Sequence, residues 1–215
     1  GYVFGGWGRT PDAATPEFGD GQTVSNLTQT DGETVKLYAV WTQATPATAA
    51  FGIRKTLSGD VGPLPNGENA PIVADTFRFR LTAKQTNAPG LTLLPMPAGT
   101  ATGAQTADYT LTSAGLSYGA FGTAATGTVA SGLLTFTLPG DYYYELTELA
   151  GSAAGYSYGG ASKVYTLHYK VTQSGTTLSV TKEVKEGSGS YAPLTGALAF
   201  DNSYALPSYT VSFNS

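Results

Sequence analysis

The chain has 215 residues, a formal net charge of -4 and only 12% charged residues. This balance provides no basic surface for nucleic acid, so nucleic acid is not an expected partner. The absence of cysteine excludes disulfides, thiolate metal sites and cysteine nucleophiles. The sequence lacks the run of about 18 apolar residues that would predict a membrane-spanning helix. Its aspartates do not have the spacing of a calcium-binding loop. We therefore expect no cofactor or metal.

Alternating apolar and polar residues predict a chain made almost entirely of strands. Gly, Thr, Tyr and Ala dominate, and no sustained helical period of apolar residues occurs. Turn-forming residues bound the alternating runs, which favours an all-β, immunoglobulin-like antiparallel β-sandwich. The clearest predicted strands are residues 34–41, 76–82, 133–138, 142–147, 163–171 and 178–184.

The first 43 residues contain two aromatic motifs, Tyr2-Val-Phe-Gly-Gly-Trp7 and Leu37-Tyr-Ala-Val-Trp41. In this order they resemble the second half of a Listeria–Bacteroides repeat, a small module found in tandem on bacterial surface proteins. The resemblance implies a small β-rich partial repeat over residues 1–43, with a core of large side chains. The residues that would supply this core are Phe4, Trp7, Leu37 and Trp41. An exposed aromatic platform that stacks on sugars is the alternative.

Two later segments differ in composition from the predicted strands. Residues 44–50 are an uncharged Ala/Thr stretch with one proline, which predicts a linker at a domain boundary. Residues 88–131 are rich in Gly, Ala and Thr, which predicts a sheet edge with long loops. These loops are either decoration or a ligand-contacting surface.

Three polar residues, Lys55, Glu148 and Asn202, stand in separate strand-like segments between Phe51 and Tyr204. This part of the chain also contains several motifs. They are Lys-Thr-Leu-x-Gly at Lys55, Thr76-Phe-Arg-Phe-Arg-Leu81, Pro95-Met-Pro97, Phe121-Gly122, the run from Thr135 to Glu148, and Phe200-Asp-Asn-Ser-Tyr204. Taken together, they resemble the isopeptide-forming domain of Gram-positive major pilins, a β-sandwich of pilus shafts and adhesin stalks.

The resemblance implies a role for each of the three polar residues in an autocatalytic isopeptide bond. Lys55 would be the nucleophile, Asn202 the acceptor amide that loses ammonia, and Glu148 the acid that promotes the reaction. Burial disfavours the charged form of a lysine, and a neutral glutamate can polarise an amide carbonyl. The expected walls of the site are Phe77, Phe79, Tyr142, Tyr144, Phe200 and Tyr204. The alternative is an ordinary Lys55–Glu148 salt bridge, with Asn202 in a turn hydrogen bond.

The last eleven residues, 205–215, combine a short linker with one more strand-like run. The run Tyr209-Thr-Val-Ser-Phe-Asn-Ser215 resembles the opening strand of the Listeria–Bacteroides repeat, which is the part missing before residue 1. We expect it to be the first strand of a following repeat. The alternative is a donor strand that completes the N-terminal half-repeat of another copy in a fibre.

These features predict an extracellular structural module that extends and stiffens a bacterial cell-surface adhesin, pilus or fibre. Its partners would be neighbouring repeats or copies of itself. Because the crosslink forms once per molecule, we expect no turnover enzyme. The alternative function is a ligand-binding adhesin module that uses residues 88–131 to contact a host or surface ligand.

Overall fold

The computed structural model describes residues 1–64, 66–68 and 73–208, and these residues are nearly all in strands, turns and loops. No helix among them is long and apolar enough to cross a membrane. The described part of the chain forms fourteen strands, numbered here in chain order. They are β1 (Tyr2–Gly8), β2 (Tyr38–Gln43), β3 (Ala47–Ala49), β4 (Gly52–Gly59), β5 (Thr76–Thr86), β6 (Thr106–Thr112), β7 (Ala125–Ala130), β8 (Leu134–Phe136), β9 (Gly140–Leu149), β10 (Tyr156–Ser157), β11 (Val164–Ser174), β12 (Thr177–Glu186), β13 (Ala192–Pro193) and β14 (Leu198–Tyr204).

Two of the sheets form a β-sandwich, as the sequence predicts. One has four strands in the order β10-β14-β4-β7, and the other has six in the order β13-β12-β11-β9-β5-β6. A single core cluster of buried side chains draws on both sheets. Phe79 of β5 contacts Phe200 of β14 across the core, with 5.2 Å between ring centroids. The prediction of an all-β sandwich is therefore confirmed.

Strand β9 explains how a glutamate comes to lie inside this core. Its inward face carries Tyr142, Tyr144, Leu146 and Glu148, which are all buried, while the residues between them are more exposed. Side chains alternate between the two faces of a strand, so the apolar residues fix the direction of the whole face. Glu148 lies on the buried face because it keeps this period of two.

Strands β4 and β14 pair in parallel, although most of the sandwich is antiparallel. In their register Lys55 is opposite Phe200, and Leu57 is opposite Asn202. The burial patterns of both strands alternate in the same way, because alternation is identical for parallel and antiparallel neighbours. The pairing brings an early strand of the sandwich beside its last one.

The segment predicted as a linker, residues 44–50, belongs to the sandwich instead. Ala47–Ala49 is strand β3, which pairs with β8, and Ala44, Ala47 and Ala49 are buried in the core cluster. Alanine is small enough for close packing between neighbouring backbones. An alanine-rich segment does not show the alternation of large apolar and polar side chains by which a strand is predicted. The change in composition therefore marks a tightly packed strand, and the domain boundary stays a prediction.

The Gly/Ala/Thr-rich region 88–131 also contains more structure than loops alone. It includes β6, at one edge of the six-stranded sheet, and β7, at one edge of the four-stranded sheet. The region therefore lies at sheet edges, as predicted, but it contributes a regular strand to each edge in addition to loops. After β14, the Leu206 amide donates to the Asp60 carboxylate at 2.9 Å, while the predicted strand at 209–215 lies outside the described residues.

The N-terminal segment forms an antiparallel hairpin of β1 and β2. Phe4 makes edge contacts with Trp7 and Trp41, at centroid distances of 5.2 and 5.7 Å. Trp41 nevertheless remains 60% exposed, and Val40 is the one buried large apolar residue of the hairpin. The expected packing of Trp41 into a core is therefore wrong, because two strands alone offer no second layer to cover it.

Candidate crosslinking site

The three polar residues singled out in the sequence lie together in the centre of the sandwich. Lys55 on β4 and Asn202 on β14 belong to neighbouring strands of the four-stranded sheet, and Glu148 reaches them from β9 in the opposite sheet. Lys55 is fully buried, and Glu148 and Asn202 are each 3% exposed. Charged side chains are almost never buried this completely without a partner.

Glu148 is the central group of the cluster. The Lys55 Nζ atom donates to both of its carboxylate oxygens, at 2.8 Å each. The Asn202 Nδ2 atom donates to Oε1 at 2.7 Å. One carboxylate therefore holds both nitrogens whose bonds would change in an isopeptide reaction.

The remaining polar atom of the Asn202 side chain faces a backbone group. Its Oδ1 atom accepts a hydrogen bond from the Gly160 amide at 2.9 Å. A backbone N–H can only donate, so this contact fixes which end of the carboxamide is the oxygen. The sequence reading assigned polarisation of the carbonyl to Glu148, whereas in the structure Glu148 contacts the nitrogen end. Backbone donors leave no signal in the residue types, so sequence reasoning missed Gly160.

Burial changes the acid–base properties of the lysine. Loss of water lowers the pKa of Lys55, and this effect exceeds the opposing hydrogen bond and charge of Glu148. The Nζ atom also lies 4.8 Å from the centre of the Phe77 ring, within the range of a cation–π contact. A lowered pKa makes the neutral amine, which is the nucleophilic form, easier to reach.

The predicted aromatic walls divide into two groups. Phe200 is opposite Lys55 in the sheet register, Phe79 is opposite Glu148, and Phe77 faces the lysine. Tyr165, which the sequence did not single out, packs edge-on against Phe200 at 5.3 Å.

The tyrosines of the predicted wall contact other parts of the core. Tyr142 packs against Phe136, Tyr144 against Tyr169, and Tyr204 against Tyr156. Tyr144 is four residues from Glu148 on one strand, a separation of about 13 Å at 3.3 Å per residue. Sharing a buried face with Glu148 therefore does not bring Tyr142 or Tyr144 to the site.

The described residues contain no group of three or more histidine, aspartate or glutamate side chains arranged to hold a metal ion. The chemistry available at the site is that of an amine, a carboxylate and a carboxamide.

Comparison with known protein families gives a match over the larger part of the chain. The family model FctA, the Spy0128-like isopeptide-containing domain, matches residues 51–205. The chain belongs to this family. The predicted membership of a pilin-type isopeptide domain is confirmed, and the family is one of structural domains. The match begins at residue 51, so the resemblance of residues 1–43 to a Listeria–Bacteroides repeat stays a prediction.

One solved structure similar to this chain is the major pilin protein T-13 of Streptococcus pyogenes. The two share 19% sequence identity with a TM-score of 0.43, and the alignment covers 75% of this chain and 54% of the pilin chain. The present chain therefore corresponds to about half of that pilin. No curated protein sequence matches the chain.

Proposed function

We propose that the chain is a structural stalk or fibre module of a bacterial cell-surface pilus or adhesin. In this proposal an intramolecular isopeptide bond between Lys55 and Asn202 stabilises the sandwich, and Glu148 promotes its formation. The observation that carries the proposal is the buried contact of Glu148 with both reacting nitrogens, at 2.7 and 2.8 Å.

The proton inventory of the cluster supports this chemistry. Glu148 takes a proton from the Lys55 ammonium, and the neutral amine attacks the Asn202 Cγ atom. Glu148 then gives this proton to the leaving Nδ2 group, which departs as ammonia, and takes the second proton from the amine. The one proton left over stays on Glu148 or leaves with the ammonia as ammonium. One carboxylate within hydrogen-bond distance of both nitrogens can carry each of these protons. The fold holds the partners in contact, which replaces a bimolecular encounter with an intramolecular one.

An ordinary ion pair is a weaker explanation of the same residues. The desolvation of two buried charges commonly cancels their attraction, so a buried pair contributes little net stability. An ion pair alone does not require the Asn202 carboxamide that donates to the same carboxylate. The isopeptide reaction does require a carboxamide beside the amine and the acid.

The parallel pairing of β4 and β14 supports a mechanical role. Tension would pull on the N-terminal end of β4 and on the C-terminal end of β14, which are parallel neighbours. In parallel neighbours these forces act in opposite directions along the strands and load their hydrogen bonds in shear. A covalent bond between Lys55 and Asn202 would carry this load directly from one strand to the other.

The proposed location is the outer surface of a bacterium, with other fibre subunits or neighbouring repeats as partners. Family membership supports this assignment. Antibody labelling of intact cells followed by electron microscopy tests it, and we expect label along surface fibres. Label confined to the cell interior would contradict it.

The crosslink is tested by the intact mass of the purified protein. We expect a mass lower than that of the sequence by one ammonia molecule, and a proteolytic fragment in which the Lys55 and Asn202 peptides are joined. Lys55→Met, Asn202→Ala and Glu148→Gln are expected to restore the full mass. A wild-type protein of full mass in its folded state would overturn the proposal.

A further inference from the structure

The backbone of Gly160 contacts the side-chain carbonyl oxygen of Asn202. It lies in the short turn Gly159–Ser162 that connects β10 to β11, and its N–H donates to Asn202 Oδ1 at 2.9 Å. We propose that this N–H is a catalytic group, an oxyanion donor that stabilises the negative charge which develops on Oδ1 when Lys55 attacks. The inference rests on the proposed isopeptide reaction and deepens it.

The reaction step shows where such a donor is required. The Nζ lone pair forms a bond to Cγ, and the π electrons of the carbonyl move to Oδ1, which becomes negatively charged. When the tetrahedral intermediate collapses, this pair reforms the carbonyl and the bond from Cγ to Nδ2 breaks. Glu148 supplies the proton with which Nδ2 leaves as ammonia. A fixed donor aimed at Oδ1 lowers the energy of the charged intermediate more than that of the neutral amide.

The division of contacts assigns a separate task to each group. Glu148 holds the two nitrogens, Lys55 Nζ and Asn202 Nδ2, and so serves proton transfer. The Gly160 amide holds the oxygen. Polarisation of the carbonyl thus comes from the backbone and leaves the carboxylate free to exchange protons.

The turn that carries Gly160 is fixed from both sides, as a preorganised donor must be. Before it, the Tyr158 hydroxyl bonds to the Asp75 carboxylate at 2.7 Å. After it, the Lys163 ammonium bonds to the Asp201 carboxylate at 2.8 Å and to the Ala199 carbonyl at 3.2 Å, both on β14. The Gly160 N–H is thereby held against the strand that carries Asn202.

The site itself explains why residue 160 is glycine. Its φ angle lies outside the positive range that favours glycine, so backbone conformation makes no such demand. A Cβ atom there would lie 2.1 Å from Glu148 Oε2 and 3.1 Å from Asn202 Oδ1. Any side chain would displace the carboxylate from Lys55. The glycine allows a backbone donor to approach both reacting side chains closely.

The decisive experiment removes the N–H without adding any atoms to the site. Cell-free translation with glycolic acid at position 160 replaces the amide with an ester, and intact mass measured over time follows the loss of ammonia. The matched control is Ala161→lactic acid, which removes a donor that bonds only to the Tyr158 carbonyl within the turn. We expect crosslinking to slow by about 100-fold or more in the Gly160 ester, and to remain close to the wild-type rate in the Ala161 ester.

The possible results separate this inference from the function on which it depends. A wild-type rate in the Gly160 ester, or equal slowing in both esters, overturns the role of the N–H and leaves the crosslink itself intact. A wild-type protein that never loses ammonia overturns both.

A second measurement covers the case in which the Gly160 ester does not fold. In Lys55→Met, which cannot react, NMR should detect scalar coupling across the hydrogen bond between the Gly160 nitrogen and the Asn202 Cγ atom. Detection supports the inference, and its absence in the folded variant contradicts it.

Discussion

The N-terminal hairpin and the sandwich contain the same kinds of residue but bury them to very different extents. Both have alternating strands that carry tyrosine and phenylalanine, and the two tryptophans of the chain, Trp7 and Trp41, lie in the hairpin. In the hairpin, Trp41 is 60% exposed and Tyr2 is 64% exposed. In the sandwich, Phe79, Phe136 and Phe200 have no exposed surface.

The difference lies in the number of layers. Among the described residues, no second sheet packs over the β1–β2 hairpin, so both of its faces stay partly in contact with water. The sandwich closes one sheet over another, and only there can an amine, a carboxylate and a carboxamide be kept from water. The reactive cluster is therefore a product of the second layer. Four predictions test this contrast, beginning with the largest expected effect.

Asn202→Ala should destabilise the sandwich most. It removes the proposed crosslink, which closes a loop of about 150 residues and is worth about 5 kcal/mol in the chain-entropy model. Denaturant unfolding, followed by tyrosine fluorescence, measures the loss. The matched control is Asn87→Ala, which removes an exposed side chain with two hydrogen bonds to Asp141. It should still lose one ammonia molecule, and its stability should fall by only about 1–2 kcal/mol. A loss of only about 1 kcal/mol would mean that Asn202 contributes hydrogen bonds alone.

Phe136→Ala should lower the free energy of unfolding by about 4 kcal/mol. It opens a cavity in the core, because the ring of Phe136 is fully buried and contacts Tyr142 and Tyr169. Phe4→Ala in the hairpin is the matched change, and it should have a much smaller effect because Phe4 is only partly buried. Denaturant unfolding of crosslinked protein gives both values, once intact mass shows that the bond has formed. Equal losses at the two positions would contradict the contrast between the layers.

Stability should depend on alkaline pH once the crosslink is removed. In Asn202→Ala the lowered pKa of Lys55 means that the unfolded chain binds more protons than the native state, between that pKa and about pH 10. The free energy of unfolding should therefore rise with pH across this window. Above about pH 10 the free energy of unfolding should fall as pH rises. Burial raises the pKa of Tyr156 to about 12, so the native state then retains more protons than the unfolded chain.

The control for this pH dependence is Lys55→Met in the Asn202→Ala background. Urea unfolding at a series of pH values should show that the rise below pH 10 disappears. A rise of the same size without the lysine would assign the effect to other groups.

Trp41→Ala should produce the smallest effect, a change in the free energy of unfolding of about 0.5 kcal/mol or less, as is typical of exposed positions. Thermal unfolding followed by near-ultraviolet circular dichroism provides the measurement. A much larger loss would mean that Trp41 is covered in solution by a further strand or by another copy of the chain.

Several parts of the site could be predicted from the sequence. The resemblance to the pilin isopeptide domain assigned Lys55, Glu148 and Asn202, and in the structure each of them lies on a strand face that is otherwise apolar. Phe77, Phe79 and Phe200 follow from the same alternation, since they share those faces. Gly160 could not be found in this way, because its contribution is a backbone N–H and the space left by its missing side chain.

The sequence by itself determined several of the long strands, such as β5, β9, β11 and β12, and the family of residues 51–205, because alternation and motif are local properties of the chain. Tertiary structure alone decided that β4 and β14 run in parallel, that residues 47–49 form a core strand, and that Tyr142 and Tyr144 lie away from the site. Alternation specifies which face of a strand is buried but not which strand lies beside it. Distances between side chains on different strands are set only when the two sheets pack.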